Sequence, residues 1–290
     1  MSQAPPAWRA SQPGQRPAEA AGRSTLHAGW TSLREGLHAE WTKARTLPGT
    51  PWLVAAIIAA TVAVSTAAVA AATCPSGGCR VDPAKLSLTG ADLGQAVVAI
   101  LAVLAISSEY STGMIRTTLT AMPRRGTVLA AKATVLTGLV LAAGTIAVLG
   151  SLLAGRLLLP GHGFTPAHGY PTLSLGDGTV LRATAGTVLY LALIGLLSLG
   201  VATVIRDSGA AIGTVLGLLY LSPILAGVVT SPHWHNGIER YAPMSAGLAI
   251  QATTGLRGLP ISPWGGLGVL AAWAAAALLA GGLLLRLRDA

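Results

Sequence analysis

Long apolar runs alternate with short polar connections along most of this chain. A helix needs roughly 20 apolar residues to cross the hydrocarbon core of a bilayer, which is about 30 Å thick. Six runs meet or approach that length, at about 52–73, 93–108, 130–155, 183–205, 209–229 and 264–285. The pattern predicts an all-α membrane protein with six transmembrane helices. The second run reaches full length only if it starts near Leu88, which leaves Asp92 close to the interface.

The composition agrees with a membrane protein. Only 10% of the 290 residues are charged, 52% are hydrophobic, and the mean hydropathy is +0.63, whereas about a quarter of the residues of soluble domains are charged. Residues 1–29 contain no apolar segment of the kind found in secretory signals, and they are rich in Pro and Ala. We expect 1–29 to be a disordered cytoplasmic tail and 30–290 to form one transmembrane domain.

The basic residues indicate an orientation. If the N-terminus is cytoplasmic, 13 of the 19 Lys and Arg residues lie on the cytoplasmic side and 6 on the other. Because basic residues are enriched in cytoplasmic loops, this distribution predicts that both termini are cytoplasmic in a multi-pass protein of the cell membrane. The net charge of +9 comes from positions between apolar spans, not from a basic groove with interleaved aromatics, so nucleic acid is not an expected partner.

An amphipathic helix is predicted just before the first span. Its apolar positions recur at steps of three or four residues, at Trp30, Leu33, Leu37 and Trp41. We expect this helix to lie along the membrane lipid, with basic side chains such as Lys43 directed to water or headgroups. The alternative is a packed juxtamembrane helix without a partner.

The stretch "EYSTGMIRTTLTAMPRRG" (109–126) gathers charge between the second and third spans. Its apolar positions would form one side of a short helix, and they are Met114, Ile115, Leu119 and Met122. Its polar and basic positions are Glu109, Arg116, Arg124 and Arg125. We expect Glu109 to pair with an arginine such as Arg116, and the helix to be a docking surface for another protein. The alternative is a surface turn whose basic residues only fix the topology.

These segments resemble the permease subunits of ABC-2 type transporters, especially those of high-GC actinobacteria. The resemblance rests on "LREGLHAEWTKARTLPGTPW", "SSEYSTGMIRTTLTAMPRRGTVLAAK", "RDSGAAIG" and the closing "SPWGGLGVLAAWAAAALLAGGLLLRLRDA", and it extends over nearly all of residues 31–290. It implies a six-span dimer, formed with a second permease copy or a paralogue, that binds ATP-binding cassette subunits and exports a substrate. It also implies that the helix before the first span and the segment 109–125 contact the ATPase. The Gly- and Pro-rich segment from Pro232 to Pro263 departs from the family, because it shows no clean amphipathic helix.

Several kinds of chemistry are missing from the sequence. No G-x-x-x-x-G-K-[ST] motif occurs, so ATP and Mg²⁺ would be bound by a partner ATPase and this chain would bind no cofactor itself. The predicted spans contain no acidic residue or His at mid-depth, which disfavours an ion-coupled carrier. His233 and His235, or His162 and His168, lack companion ligands at metal-binding spacing. We therefore predict no catalytic residue and no metal site.

Cys74 and Cys79 flank a Ser-Gly-Gly turn just outside the first span. An outward-facing loop is exposed to oxidising conditions, so we expect a disulfide between them, with two free thiols as the alternative. The expected function is that of a permease subunit of an ATP-driven exporter. The alternatives are a membrane sensor or resistance subunit without net transport, and a membrane enzyme; the sequence does not identify a substrate.

Overall fold

The structure is a computed structural model that describes residues 34–74, 81–111, 113, 125–166, 170 and 172–288. Residues 34–46 are helical and are called α1. The further α-helices of the described chain are α2 (Gly49–Ala71), α3 (Pro83–Ser87), α4 (Ala91–Ser111), α5 (Arg125–Leu158), α6 (Gly178–Ile205), α7 (Ser208–Val228), α8 (Pro232–Tyr241), α9 (Pro243–Leu248) and α10 (Pro263–Arg288). Short 3₁₀ turns follow α5 at Leu159–His162 and α9 at Ala249–Gln251.

The prediction of six spans in an all-α protein is confirmed. Helices α2, α4, α5, α6, α7 and α10 are each long and apolar enough to cross a membrane. Within the ranges given above the chain forms no β-strand. The second span runs to Ser111 and the third begins at Arg125, so both are longer than their apolar runs. The added residues of α4 include Glu109, whose charge ended the apolar run, and the added first turn of α5 is 125–129, ahead of the predicted start at 130.

Helix α6 is the central element of the bundle. In its most apolar stretch 61% of the residues are buried, against 22% in α2, α7 and α10. It packs against α4, α5, α7 and α10. Small residues permit the closest of these contacts: a Cβ on Gly200 would lie 2.6 Å from the backbone of Ala277 in α10. In lipid, where helices gain little from the hydrophobic effect, such close packing is a main source of association.

Two ends of the bundle are distinguished by their contacts. At the Glu109 end, α1 meets the last turn of α4 and the beginning of α5 through Lys43, Glu109 and Lys132, and Gly126 lies beside Arg286 of α10. At the opposite Asp82 end, Asp82 precedes α3 and bonds to Thr253. The first and last described segments therefore lie at the same end, as an even number of spans requires.

Helix α4 begins well inside the bundle. The Gly90 amide donates to Ser65 Oγ at 3.0 Å, and a Cβ on Gly94 would lie 2.2 Å from Thr61 Oγ1. Ser65 and Thr61 precede the end of α2 at Ala71 by six and ten residues. With a rise of 1.5 Å per residue, these contacts place the start of α4 about 9 to 15 Å below the Asp82 end of α2.

Helices α8 and α9 form a hairpin that enters the bundle from the Asp82 end. At its tip, the Tyr241 carbonyl accepts a hydrogen bond from Trp273 Nε1 at 3.1 Å, and Trp273 lies ten residues into α10. This contact places the tip about 15 Å below the start of α10. From the tip the chain runs back towards the Asp82 end. Gly247 packs on Tyr190, and Ile250 packs on Gly186, which is four residues nearer the start of α6.

The expectation that Pro232 to Pro263 lacks a clean amphipathic helix was wrong. The segment contains α8, which is amphipathic, and α9. The segment is rich in Gly and Pro, but Pro232 and Pro243 occupy the first turns of α8 and α9. Proline is favoured there because its fixed φ suits the helix and its missing N–H would have had no intrahelical partner.

The Asp82 carboxylate binds the segment that follows α9, at Thr253 and Thr254. Asp82 caps α3 by accepting from the amides of Ala84 and Lys85. It also accepts from the Thr253 amide at 2.5 Å, from Thr253 Oγ1 at 2.7 Å and from the Thr254 amide at 3.0 Å. Burial alone would raise the pKa of this carboxyl, but the bonds from Thr253, Lys85 and Thr254 outweigh burial and hold the pKa below its ordinary value.

We expect the Asp82 contacts to make stability depend on acidity. Because folding lowers the pKa of Asp82, its contribution is present at neutral pH and is lost as the pH falls below about 4. Asp82→Asn should reduce stability at pH 7 by about 1–2 kcal/mol and flatten the acid dependence, as measured by thermal unfolding in detergent. Asp177→Asn, at the exposed cap of α6, is the control. An acid dependence in Asp82→Asn as steep as in the wild type would contradict this assignment.

Candidate functional site

Four charged side chains form one buried cluster at the Glu109 end. Helix α1 contributes Glu40 and Lys43, the last turns of α4 contribute Glu109, and α5 contributes Lys132. Lys132 Nζ lies 2.8 Å from both Glu40 Oε2 and Glu109 Oε1. It also donates to the Ala105 carbonyl at 3.2 Å. All three N–H groups of this ammonium are therefore used.

Lys43 closes the cluster on its exposed side. Its Nζ lies 2.6 Å from Glu109 Oε1 and 3.0 Å from Glu40 Oε1. Burial would lower the pKa of Lys43, but the hydrogen bonds and charges of Glu109 and Glu40 outweigh it and raise the pKa above its ordinary value. Lys43 therefore stays protonated at neutral pH. Two acids and two bases then balance, and the cluster has no net charge.

Burial makes these ion pairs different from surface pairs. Glu109 is 2% exposed, Lys132 3% and Glu40 7%. Desolvating such groups is costly, and loss of one partner leaves the others as uncompensated buried charges. Helix α1 is therefore fastened to α4 and α5, because moving it away would separate Glu40 and Lys43 from their partners.

A turn between α6 and α7 supports the same end of α4. Arg206 ends α6 with a φ of 64°, a left-handed conformation that is costly for a residue other than glycine. This conformation turns the chain towards α7, where the Asp207 side chain accepts from the Ala210 amide at 2.7 Å. The Arg206 guanidinium lies 5.4 Å from the ring centre of Tyr110. A cation–π contact thus reaches the residue next to Glu109.

The predicted docking residues are placed only in part. Glu109 is buried in the ion cluster, and Arg125 begins α5. The others lie outside the described residues, and they are Met114, Ile115, Arg116, Leu119, Met122 and Arg124. Among the described residues, Glu109 is paired with Lys43 and Lys132. These pairs hold α1, α4 and α5 together, in addition to any part that Glu109 has in the turn after α4.

The face of α1 differs from the prediction at one residue. Leu37 is partly buried, as expected of its apolar face, and Trp41 is 45% exposed with the Arg45 guanidinium 6.0 Å from its ring centre. Trp30 and Leu33 lie outside the described part of the chain. The expectation that Lys43 faces water or headgroups was wrong, because Glu109 and Glu40 draw its ammonium into the cluster.

Sequence reasoning missed Glu40 and the pairing of Lys132. Lys132 stands within the apolar run "VLAAKATVL" of α5. A lysine in such a run needs a buried partner, and Glu109 was the nearest acidic candidate along the chain. Glu40 gave a weaker signal, because an acidic residue three positions before Lys43 is also common on exposed helices.

A second polar group lies at the level of the hairpin. Gln95 of α4 accepts from the Tyr190 hydroxyl and donates through Nε2 to Met244 Sδ at 3.1 Å. The Tyr220 hydroxyl of α7 donates to the backbone carbonyl of Asp92. Asp92 is the second residue of α4, near the end of its helix as expected. The helix itself, however, starts below the Asp82 end of α2, so Asp92 is deeper than the sequence indicated.

The candidate disulfide and histidines are placed in part. Cys74 is buried, is not a free thiol, and donates its amide to the His162 carbonyl at 2.9 Å. Cys79 and His168 lie outside the described ranges, so the Cys74–Cys79 pairing stays a prediction. His235 Nδ1 lies 3.0 Å from the Ala226 carbonyl oxygen. Among the described residues, His, Cys, Asp and Glu form no group of three that could hold a metal ion.

Comparison with known proteins does not assign the chain to a family. No family model matches it, and no curated protein matches it. Its function is therefore argued from its own residues, together with the resemblance of its segments to ABC-2 type permeases.

We expect the ion cluster to be a strong and testable source of stability. Lys132→Met should lower the free energy of unfolding by about 3–5 kcal/mol, because Glu40 and Glu109 then exceed the remaining positive charge. Adding Glu109→Gln to Lys132→Met restores neutrality and should recover part of the loss. Thermal unfolding in detergent measures both, with Lys85→Met on exposed α3 as the control. Wild-type stability in Lys132→Met would show that the cluster stabilises little.

Proposed function

We propose that the chain is the transmembrane permease subunit of an ATP-driven exporter and works with a separate ATP-binding subunit. The observation that favours this role is the ion cluster of Glu40, Lys43, Glu109 and Lys132. It fastens a helix outside the spans to two helices inside them. The partner would bind ATP and Mg²⁺, in keeping with the missing P-loop motif.

The cluster suits the transmission of force from a partner. The resemblance assigns ATPase contact to the helix before the first span and to segment 109–125. Glu109 belongs to the second of these and is bonded to Lys43 of the first. A displacement of either segment would be passed to α4 and α5, which are continuous helices. At its other end α4 contacts the hairpin, where Gln95 bonds to Met244, so movement at one end would reach the other.

The proposal places the Glu109 end in the cytoplasm. The topology predicted from the sequence assigns 13 of the 19 Lys and Arg residues to this side of the membrane, in keeping with the positive-inside rule. Both termini are then cytoplasmic, and the Asp82 end with the α8–α9 hairpin faces outward. Helices α2, α7 and α10 are the least buried spans. In the proposal they meet lipid and a second permease copy or paralogue.

A second candidate is a carrier driven by a proton or cation gradient. The depth of Asp92 favours it, because coupled carriers keep ionisable residues inside the bilayer. The third candidate is a membrane sensor or resistance subunit with the same six spans and no net transport. Reconstitution in proteoliposomes separates the three: the exporter needs ATP and its partner, the carrier needs only an ion gradient, and the sensor shows no substrate-dependent efflux.

The docking assignment is tested by Leu119→Asp. Because Leu119 belongs to the apolar side of segment 109–126, we expect this change to leave expression and insertion intact but to abolish co-purification with the ATP-binding subunit. Substrate-stimulated ATP hydrolysis should be lost as well. Glu109→Gln should weaken coupling more than assembly, because one charge of the internal cluster is removed while the docking face is unchanged.

Leu175→Asp is the matched control for this experiment. Leu175 is an exposed leucine in the connection before α6, at the Asp82 end. The same substitution there should leave both the partner and ATP hydrolysis unaffected. Normal co-purification and transport by Leu119→Asp would contradict the docking assignment. Segment 109–126 would then be a surface turn whose basic residues only fix the topology.

A further inference from the structure

Asp92 is an acidic residue of the described spans whose carboxylate has no bonding partner. Glu109, the other acidic residue of those helices, is paired with Lys43 and Lys132. Across the described residues, the carboxylate of Asp92 accepts no hydrogen bond and forms no ion pair. Lys85, on α3, acts on it electrostatically but is exposed and not in contact.

Two helices independently show the depth of Asp92. It lies between Gly90 and Gly94, which contact Ser65 and Thr61 of α2. The midpoint of those contacts is about 12 Å below the end of α2. The Tyr220 hydroxyl bonds to the Asp92 carbonyl, and Tyr220 precedes the end of α7 at Val228 by eight residues, again about 12 Å. Asp92 therefore lies at the level of the hydrocarbon, where a charge without a partner is costly.

Several neighbouring polar groups are bonded elsewhere, although the buried Thr61 hydroxyl beside Gly94 has no hydrogen-bond partner among the described residues. Both polar atoms of the Gln95 amide are bonded, to the Tyr190 hydroxyl and to Met244 Sδ. The Tyr220 hydroxyl is directed to a backbone carbonyl. Proline at position 223 frees the Leu219 carbonyl in the next turn of α7, and Ser222 Oγ satisfies it at 3.1 Å. These hydroxyl and amide donors are thus bonded to other acceptors, and none of them is bonded to the Asp92 carboxylate.

The surroundings of Asp92 favour a particular kind of ligand. The Tyr220 hydroxyl of α7 bonds to the Asp92 carbonyl, and its partly exposed side chain offers an aromatic surface beside that residue, of the kind that attracts organic cations. The carboxylate lies in the first turn of α4. Asp92 is partly exposed, as is Tyr220, so a ligand can reach the carboxylate.

We propose that Asp92 is a binding site for lipophilic organic cations, with Asp92 supplying the charge and the Tyr220 ring the apolar contact. A calcium or magnesium ion does not fit, because these ions require about six oxygen ligands and the site offers one carboxylate. The inference rests on the proposed function in one respect: if the chain is an exporter, these cations are its substrate class. Binding itself requires no ATPase.

The site is tested by equilibrium binding of tetraphenylphosphonium to the purified full-length protein in lipid nanodiscs. Asp92→Asn keeps the shape of the side chain and removes its charge. We expect it to weaken binding about tenfold or more, the change that corresponds to about 1.4 kcal/mol. Asp177→Asn removes a charge from the exposed cap of α6 and should bind like the wild type. Tetraphenylborate, an anion of the same shape, should not compete.

A second measurement requires no variant. Dicyclohexylcarbodiimide modifies carboxyl groups in apolar surroundings, and mass spectrometry can quantify its adduct on Asp92. We expect tetraphenylphosphonium to protect Asp92 of the wild type from modification and tetraphenylborate not to. Equal binding by wild type and Asp92→Asn, or modification of Asp92 that tetraphenylphosphonium does not slow, would overturn the site. Failure of the chain to bind an ATPase would overturn the proposed function and leave these results unaffected.

Discussion

The ion pairs of Lys132 with Glu40 and Glu109 hold a helix outside the spans against two helices inside them. Because all three side chains are nearly inaccessible, each charge depends on the others, and α1 cannot leave without stranding its partners. The arrangement explains why a chain with so few charges keeps four of them together. It also explains why α4 extends past its apolar run: the added residues bring Glu109 to the place where α1 lies, beside Lys132 of α5.

Helix α4 connects this cluster to the opposite half of the molecule. It starts below the end of α2, held there by the close approach of Gly90 to Thr61 and Ser65. Its first turns contact the α8–α9 hairpin and present Asp92. The Asp82 carboxylate binds the segment that follows α9 through Thr253. One helix therefore has a charged fastening at one end and an open carboxylate near the other.

The sequence was sufficient for the spans and insufficient for the contacts between them. Six apolar runs predicted six helices, because the length of a run is set by the bilayer and by nothing else in the fold. The pairing of Lys132 with Glu40 joins residues 92 positions apart, and no local pattern reports such a contact. The hairpin was missed for a different reason: Pro232 and Pro243 begin helices instead of ending them. The depth of Asp92 depends on glycines that let α4 approach α2.

The claim that buried charges fasten α1 to the spans is tested most directly by hydrogen exchange of residues 34–46 in the full-length protein in lipid nanodiscs. The account predicts that amides around Glu40 and Lys43 exchange slowly in the wild type and much faster in Lys132→Met, while exchange in α6 is unchanged. Rapid exchange of residues 34–46 in the wild type, or exchange that Lys132→Met does not alter, would contradict it.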